Sequence, residues 1–250
     1  MNYLVSIITP TFNDIKYIED TYKSICSQQY KNWEWVITDD FSSDGTFELL
    51  EEISKKDSRI SLFRNHVNLG AAVSRNNSIK FSKGRFIAFL DADDLWEKGK
   101  LEKQIEFMVS NNIALSYSDY SVIDDDGKEL SIIRQVPNYV TYDLLLRENI
   151  IGCLTAVYDV EKVGKVYMPP IRKRQDFGLW LNILRDVNKA YKCEGVLAKY
   201  RLRSKSVSSN KFVLLRYNFE LFYKYERMPA YKASYYVLSN MWRKIKRITE

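Results

Sequence analysis

Between residues 4 and 118 the chain switches repeatedly between short apolar runs and segments of helical periodicity, and this alternation restricts its fold more than any other feature. The run Leu4-Val5-Ser6-Ile7-Ile8-Thr9 reads as a buried strand stopped by Pro10. Ile15, Ile18, Tyr22 and Ile25 then recur at helical spacing. Residues 33–38 form a second strand, Leu49, Leu50 and Ile53 mark a second helix, and residues 60–63 form a third strand. The pattern predicts a helix over 71–81, with Gly84 as its C-terminal stop. A fourth strand covers 86–90, and a helix over 95–108 carries Leu101, Ile105 and Met108 as its apolar stripe. A fifth strand covers 114–118. Strands apolar on both faces need cover on both faces, which gives an α/β fold with a mostly parallel sheet and helices on either side. Such sheets bind ligands beyond the carboxyl ends of their strands. Chemistry is therefore expected just after residues 9, 38 and 90.

Three acidic clusters occupy places of that kind. Asp39-Asp40 follows the second strand and precedes Phe41-Ser42-Ser43-Asp44-Gly45-Thr46. A carboxylate there can accept hydrogen bonds from a base or ribose, and the same stretch also makes a good turn and helix cap. Asp91-Ala92-Asp93-Asp94 follows the fourth strand directly. If the chain is still extended, Asp91 and Asp93 point the same way. Clustered carboxylates repel one another unless a cation compensates them, and hard oxygen donors suit Mg²⁺ or Mn²⁺ bridging to substrate phosphates. Capping of the following helix explains one of these aspartates but hardly three. The third cluster is Gln175-Asp176, between Arg172-Lys173-Arg174 and Phe177-Gly178-Leu179-Trp180, where an acid at a helix start is also commonplace.

Bulk features exclude several alternatives. Cys26, Cys153 and Cys193 are odd in number and lie in no metal-ligand spacing, as expected in a reduced, cytoplasmic compartment. The lone His66 excludes a multi-histidine metal centre. No signal peptide and no apolar run of membrane-spanning length is visible. The net charge of +6 is uneven: residues 199–250 hold 13 Lys and Arg against 3 Glu. In this region Phe212, Leu215, Phe219 and Phe222 form one apolar stripe, Pro229 interrupts, and Tyr235, Leu238, Trp242 and Ile245 form another. The basic aromatic tail is either an interfacial helix for anionic membrane or the solvated face of a helix packed on the domain. Asp124-Asp125-Asp126-Gly127 is read as a hairpin turn, not a metal loop.

Taken in order, five segments resemble family 2 of the glycosyltransferases, the group with the GT-A fold, and in particular small bacterial transferases that build capsule, O-antigen or teichuronic-acid-type polymers. They are Val5-Ser6-Ile7-Ile8-Thr9-Pro10-Thr11-Phe12-Asn13, residues 39–46, Asn68-Leu69-Gly70 with Arg75-Asn76, residues 89–96, and Gln175-Asp176-Phe177-Gly178-Leu179-Trp180. The resemblance implies a GT-A catalytic domain over 1–205, with a nucleotide-binding half (1–120) and an acceptor-binding half (121–205), and a helical tail over 206–250. It implies that Pro10, Thr11 and Asn13 line the nucleotide loop, and that Asp40 reads a uracil ring with Asp39 beside it. Arg75 would face the nucleotide or its phosphates. Asp91-Ala92-Asp93 becomes the family's Asp-x-Asp motif, with Asp93 and Asp94 holding Mn²⁺ or Mg²⁺ on the diphosphate. Asp176 falls where the family has its catalytic base, and Arg201 and Ser206 are candidate diphosphate contacts. One departure is Phe41, where the family usually has Gly.

The activity so implied is inverting transfer of a sugar from a nucleotide-sugar, UDP-linked by expectation, to a glycan or lipid-linked glycan acceptor at the inner face of the cell membrane. Two other readings compete. A sugar nucleotidyltransferase needs a glycine-rich phosphate loop after the first strand, and Pro10-Thr11-Phe12-Asn13 holds no glycine. A basic nucleic-acid binder fits the pI near 9.0, but the tail matches no nucleic-acid motif and the aspartate clusters repel phosphate, so no nucleic-acid partner is expected.

Overall fold

The computed structural model describes residues 2–203 and 211–249; the side chains of 211–212 and 242–249, and with them part of both tail stripes, lie outside the described residues. The first half runs β1 (Val5–Thr11), α1 (Ile18–Cys26), β2 (Trp33–Asp39), α2 (Thr46–Lys56), β3 (Ile60–Arg64), α3 (Ala71–Phe81) and β4 (Phe86–Phe89). There follow β5 (Leu95–Trp96), α4 (Lys100–Ser110), β6 (Leu115–Ile123), β7 (Glu129–Arg134), β8 (Tyr139–Val140), α5 (Tyr142–Arg147), a 3-10 turn (Cys153–Thr155), β9 (Val157–Asp159), α6 (Val160–Val163), α7 (Gln175–Asp186) and β10 (Ala190–Arg201). The tail comprises α8 (Lys211–Glu220), a π-helical stretch (Leu221–Tyr225) and α9 (Ala230–Thr249).

All strands join one sheet in the order β3-β2-β1-β4-β9-β6-β10-β5, with β7 on β6 and β8 on β10. The block β3-β2-β1-β4 is parallel throughout, as is the long β6–β10 pair. Short β9 enters antiparallel between β4 and β6 and joins the two blocks. Alternate side chains of each central strand enter opposite cores. Ile7, Ile37, Ala88 and Leu90 pack with Ile18, Leu101 and Ile105 on one face. Ile8, Val36, Ile87 and Phe89 pack with Ile79 and Trp180 on the other. The all-apolar strands follow from this two-sided cover.

Three local expectations change. β1 continues through Pro10 to Thr11 instead of stopping at Thr9. Its β4 neighbour has ended opposite Ile8, so at Pro10 the strand is paired on one side only, where proline is tolerated. Gly84 is not the stop of α3, which ends at Phe81 with Ser82 as its cap. A Cβ at Gly84 would lie 2.6 Å from the Ser6 nitrogen and 2.8 Å from the Leu4 carbonyl, so glycine is required by a close backbone approach. The helix expected from residue 95 begins at Lys100, because Leu95–Trp96 pairs antiparallel with β10 instead. The described part of the tail packs on the domain: Leu221, Phe222, Met228 and Ala233 are buried in the same core as Trp180. The Asp-Gly turn behaves as expected, closing the β6–β7 hairpin with Gly127 at φ 88°.

Candidate functional site

At the carboxyl end of β2 the two neighbouring aspartates do different work. Asp40 is 3% exposed, and both its oxygens are taken by the chain's own donors. Oδ1 accepts from Asn65 Nδ2 and the Leu69 amide, each at 2.8 Å, and Oδ2 accepts from the Gly70 amide at 2.7 Å. Gly70 turns its N–H inward at φ 92°, a conformation that favours glycine. Asp40 thus clamps the 65–70 loop. Asp39 accepts from the Ser42 amide at 2.9 Å and lies 3.4 Å from Arg64 Nε through Oδ2, while its buried Oδ1 has no partner. Across the gap, Asn13 at φ 57° accepts from the Ser43 amide at 2.9 Å, and Thr11 Oγ1 donates to Asp14 at 3.1 Å. Pro10 is buried in the strand just before them. Phe41 takes φ 69° and leaves its ring 50% exposed beside this end of the sheet.

The Asp91–Asp94 segment leaves β4 as a turn, not an extended strand, so its side chains diverge. Asp91 pairs with Arg75 Nη2 at 2.5 Å, and Arg75 is 6% exposed with an unpartnered Nε. Ala92 is buried, and its carbonyl accepts from Thr21 Oγ1 at 2.9 Å. Asp94 is 2% exposed and accepts from the Arg201 amide at 2.8 Å. Asp93 faces Arg203 Nη1, which lies 3.2 Å away and also reaches Asp14 at 2.8 Å. Burial, then the charges of Asp91 and Asp14, push the Asp93 carboxyl up to about 6 against the pull of Arg203. Burial and the Asp93 and Asp91 charges raise Asp94 well above the usual carboxylate range. Since α4 starts six residues beyond Asp94, helix capping does not account for the cluster.

This donor set fits a hard divalent cation, for it gathers more carboxylate charge than its arginines offset. Among the described residues no three His, Cys, Asp or Glu side chains form a cage by themselves. A cation at Asp93 and Asp94 would therefore complete its shell with ligand phosphates and water, as Mg²⁺ commonly does.

Asp176 stands in the first turn of α7, directly after Arg174, which holds φ 69°. Asn149 Nδ2 lies 3.4 Å from Asp176 Oδ2, and the buried Asn149 Oδ1 is unpartnered. Arg75 responds to the charges of both Asp91 and Asp176: burial opposes its protonation, and these carboxylates reverse that effect. Asp176 thus lies within electrostatic range of the Arg75–Asp91 pair.

Arg201, a candidate diphosphate contact, closes β10. It is 3% exposed, and its guanidinium donates to the backbone carbonyls of Asp93 at 2.7 Å and Asp125 at 3.1 Å, tying the Asp91–Asp94 turn to the β6–β7 hairpin. The partly exposed arginine over the acid cluster is Arg203. Ser206 lies outside the described residues. Arg203 belongs to the basic stretch 200–206 that the sequence places near the diphosphate, whereas sequence reasoning missed Asp14 and Asn149. Asp14 carried a faint signal, as an acid beside the loop after β1; Asn149 carried none.

Comparison with known proteins places this geometry. Residues 6–157 match the family described as Glycosyl transferase family 2. The chain is 43% identical over 232 residues to TuaG of Bacillus subtilis, named for a teichuronic acid biosynthesis glycosyltransferase, covering 93% of this chain and 92% of that one. It is 41% identical over 240 residues to WfgD of Escherichia coli, a UDP-Glc:alpha-D-GlcNAc-diphosphoundecaprenol beta-1,3-glucosyltransferase, covering 95% and 92%. Among solved structures, Staphylococcus aureus TarS 1-349 in complex with UDP-GlcNAc superimposes with a TM-score of 0.71 at 18% identity, covering 93% of this chain and 70% of that one. A Pyrobaculum calidifontis mannosyltransferase in complex with GDP-Man and Mn2+ gives 0.69 at 17% identity, covering 95% and 70%. At those identities the structural likeness speaks for the fold.

Proposed function

The chain belongs to glycosyl transferase family 2, and from that premise we propose that it transfers a sugar with inversion from a UDP-sugar to a lipid-linked glycan, with a divalent metal, in bacterial surface polysaccharide synthesis. The observation that carries the reading is the acidic turn beyond the carboxyl end of β4, where Asp91 pairs with buried Arg75 at 2.5 Å and Asp94 is buried beside Asp93. WfgD is named for a UDP-Glc donor and a diphosphoundecaprenol-linked acceptor, and TarS binds UDP-GlcNAc, which supports the donor and acceptor classes. No helix among the described residues is long and apolar enough to cross a membrane. The proposed place of action is the inner membrane face, with the protein held peripherally.

In this reading the nucleotide lies over the ends of β1 and β2, between the 10–14 and 39–46 loops. The Asp39-Asp40 pair reads the uracil ring, and Asp39 brings a buried Oδ1 that has no partner within the chain. Arg75 fixes Asp91, and the pair forms the wall on which the donor sugar and ribose rest. Asp93 and Asp94 hold the metal, which supplies neutralisation of the charge developing on the departing diphosphate. Arg203 adds a guanidinium on the same side. Asp176 accepts the proton of the acceptor hydroxyl as its oxygen attacks the anomeric carbon, and the nucleoside diphosphate leaves from the opposite face. Asn149 orients the Asp176 carboxylate through its side-chain amide.

The test is calorimetric binding of UDP, GDP, CDP and dTDP with and without Mn²⁺, beside transfer assays of Asp176→Asn. The expected result is Mn²⁺-dependent preference for UDP, and a variant that binds UDP normally while transfer falls by about 10³-fold. A folded protein that binds no nucleotide would end the proposal.

A further inference from the structure

The described residues of the tail's second apolar stripe, Tyr235 and Leu238, are not on the face that packs. On α9 the inward positions are Ala233, fully buried, partly buried Tyr236 and Val237, and Asn240, which donates to the Leu146 carbonyl of α5 at 2.7 Å. Turned away from them stand Tyr231, Tyr235, Leu238 and Met241, exposed by 78%, 57%, 59% and 41%. Such a row of large apolar side chains on water is an unmet contact, not ordinary surface scatter. The charge beside it has one sign. Lys224, Arg227 and Lys232 are exposed, and the sequence adds Arg243, Lys244, Lys246 and Arg247. The acids of the same region are neutralised: Glu226 is buried against Arg185 at 2.7 Å, and Glu220 pairs with Lys224 at 2.9 Å.

From this arrangement we propose that the outer face of α9 docks the protein flat on an anionic lipid bilayer, with the Tyr231–Tyr235–Leu238 row in the interface and the lysines and arginines at the headgroups. Aromatic and aliphatic side chains on one side with basic residues along the flank are the composition of an interfacial helix. A second copy of the chain is disfavoured as the occupant, because two such basic faces repel. The inference deepens the proposed function, since α9 is bonded to α5 and the segment after α5 supplies Asn149 to Asp176. The docked helix and the candidate base are thus linked through one packed element, suited to an acceptor whose lipid stays in the bilayer.

The experiment is flotation of the full chain with phosphatidylglycerol-rich and with phosphatidylcholine vesicles, beside the variant Tyr231→Ser/Tyr235→Ser/Leu238→Ser. All three positions are exposed, so the variant should fold, and unchanged UDP binding and circular dichroism verify this. The wild type is expected to float with the anionic vesicles alone, less so at high salt, and the variant to lose at least tenfold in partition. Wild-type protein that stays in solution, or a variant that floats equally well, overturns the docking surface. So does a wild-type dimer in sedimentation that the variant dissociates, since that makes the occupant a second copy. None of these outcomes bears on UDP binding, so the transferase reading stands or falls separately.

Discussion

Arg203 places one guanidinium nitrogen 2.8 Å from Asp14 and 3.2 Å from Asp93, so a side chain from beyond β10 occupies the cationic position of the Asp91–Asp94 turn. Its guanidinium carbon also lies 4.7 Å from the centre of the Tyr17 ring. A metal held at Asp93 would compete with this contact, which would leave the arginine free for ligand phosphates. Arg203→Ala is expected to bind Mn²⁺ about tenfold more tightly without nucleotide, the equivalent of one charge-assisted contact. It is expected to bind UDP more weakly once Mn²⁺ is present. Electron paramagnetic resonance of free Mn²⁺ reads the first effect and calorimetry the second. Weaker Mn²⁺ binding with unchanged UDP affinity would show that Arg203 only braces the turn.

Asp39 and Asp40 should separate by assay. Asp39→Asn changes a carboxylate whose Oδ1 awaits a donor, and it is expected to lower UDP affinity about tenfold with a small effect on melting. Asp40→Asn disturbs the acceptor of three internal hydrogen bonds, two from backbone amides. It is expected to destabilise the protein by about 2 kcal/mol, with UDP affinity falling only as the 65–70 loop loosens. The reverse pattern would make Asp40 the base-reading residue.

What was legible in the sequence follows periodicity and strand ends. The first four strands and their helices carry period and composition strong enough to read, and the acidic clusters lie where the sheet ends. The division of labour within them was not legible. Whether Asp39 or Asp40 keeps a free oxygen depends on the Asn65, Leu69 and Gly70 donors of another loop. Arg201 and Arg203 are equivalent in sequence, but β10 pairing turns Arg201 inward onto the carbonyls of Asp93 and Asp125. Short β5 and β9 were missed because two or three residues carry no measurable period, and pairing with β10 or β4 decides them.

Phe41 tests whether a strained residue is kept for its ring. A non-glycine side chain at φ 69° carries a conformational penalty of about 1 kcal/mol, and half of the ring is in water. Phe41→Gly is therefore expected to raise the melting temperature by about 2 °C, as roughly 1 kcal/mol does for a domain of this size. If the ring stacks on the nucleobase, UDP affinity should fall about fivefold at the same time. Opposite movement of stability and affinity supports a functional ring. A rise in both would show that the residue is strained without purpose, and a lower melting temperature would refute the strain.

Lys100 is the molecule's clearest buried base. It is fully buried at the start of α4, donates to Gln104 at 2.9 Å, and stands 4.2 Å from the centre of the Trp96 ring. Gln104 in turn donates to Ser116 at 2.7 Å and to the Thr155 carbonyl at 2.9 Å, so the pair joins α4, β6 and the turn before β9. Burial lowers the Lys100 amine to about 7 from its usual 10.5. In the unfolded chain the amine keeps its proton up to the higher value, so between these two pH values the unfolded state binds more protons than the native one. Stability should therefore rise with pH across that window, by at most about 1.4 kcal/mol per pH unit from this group. Lys100→Met removes the titrating amine, keeps most of the stem, and leaves Gln104 without one partner. Urea unfolding at pH 7, 8 and 9 is expected to show the gap between wild type and variant shifting toward the wild type as pH increases. A constant gap would mean that the amine stays charged in the native protein, held by Gln104 and the Trp96 ring.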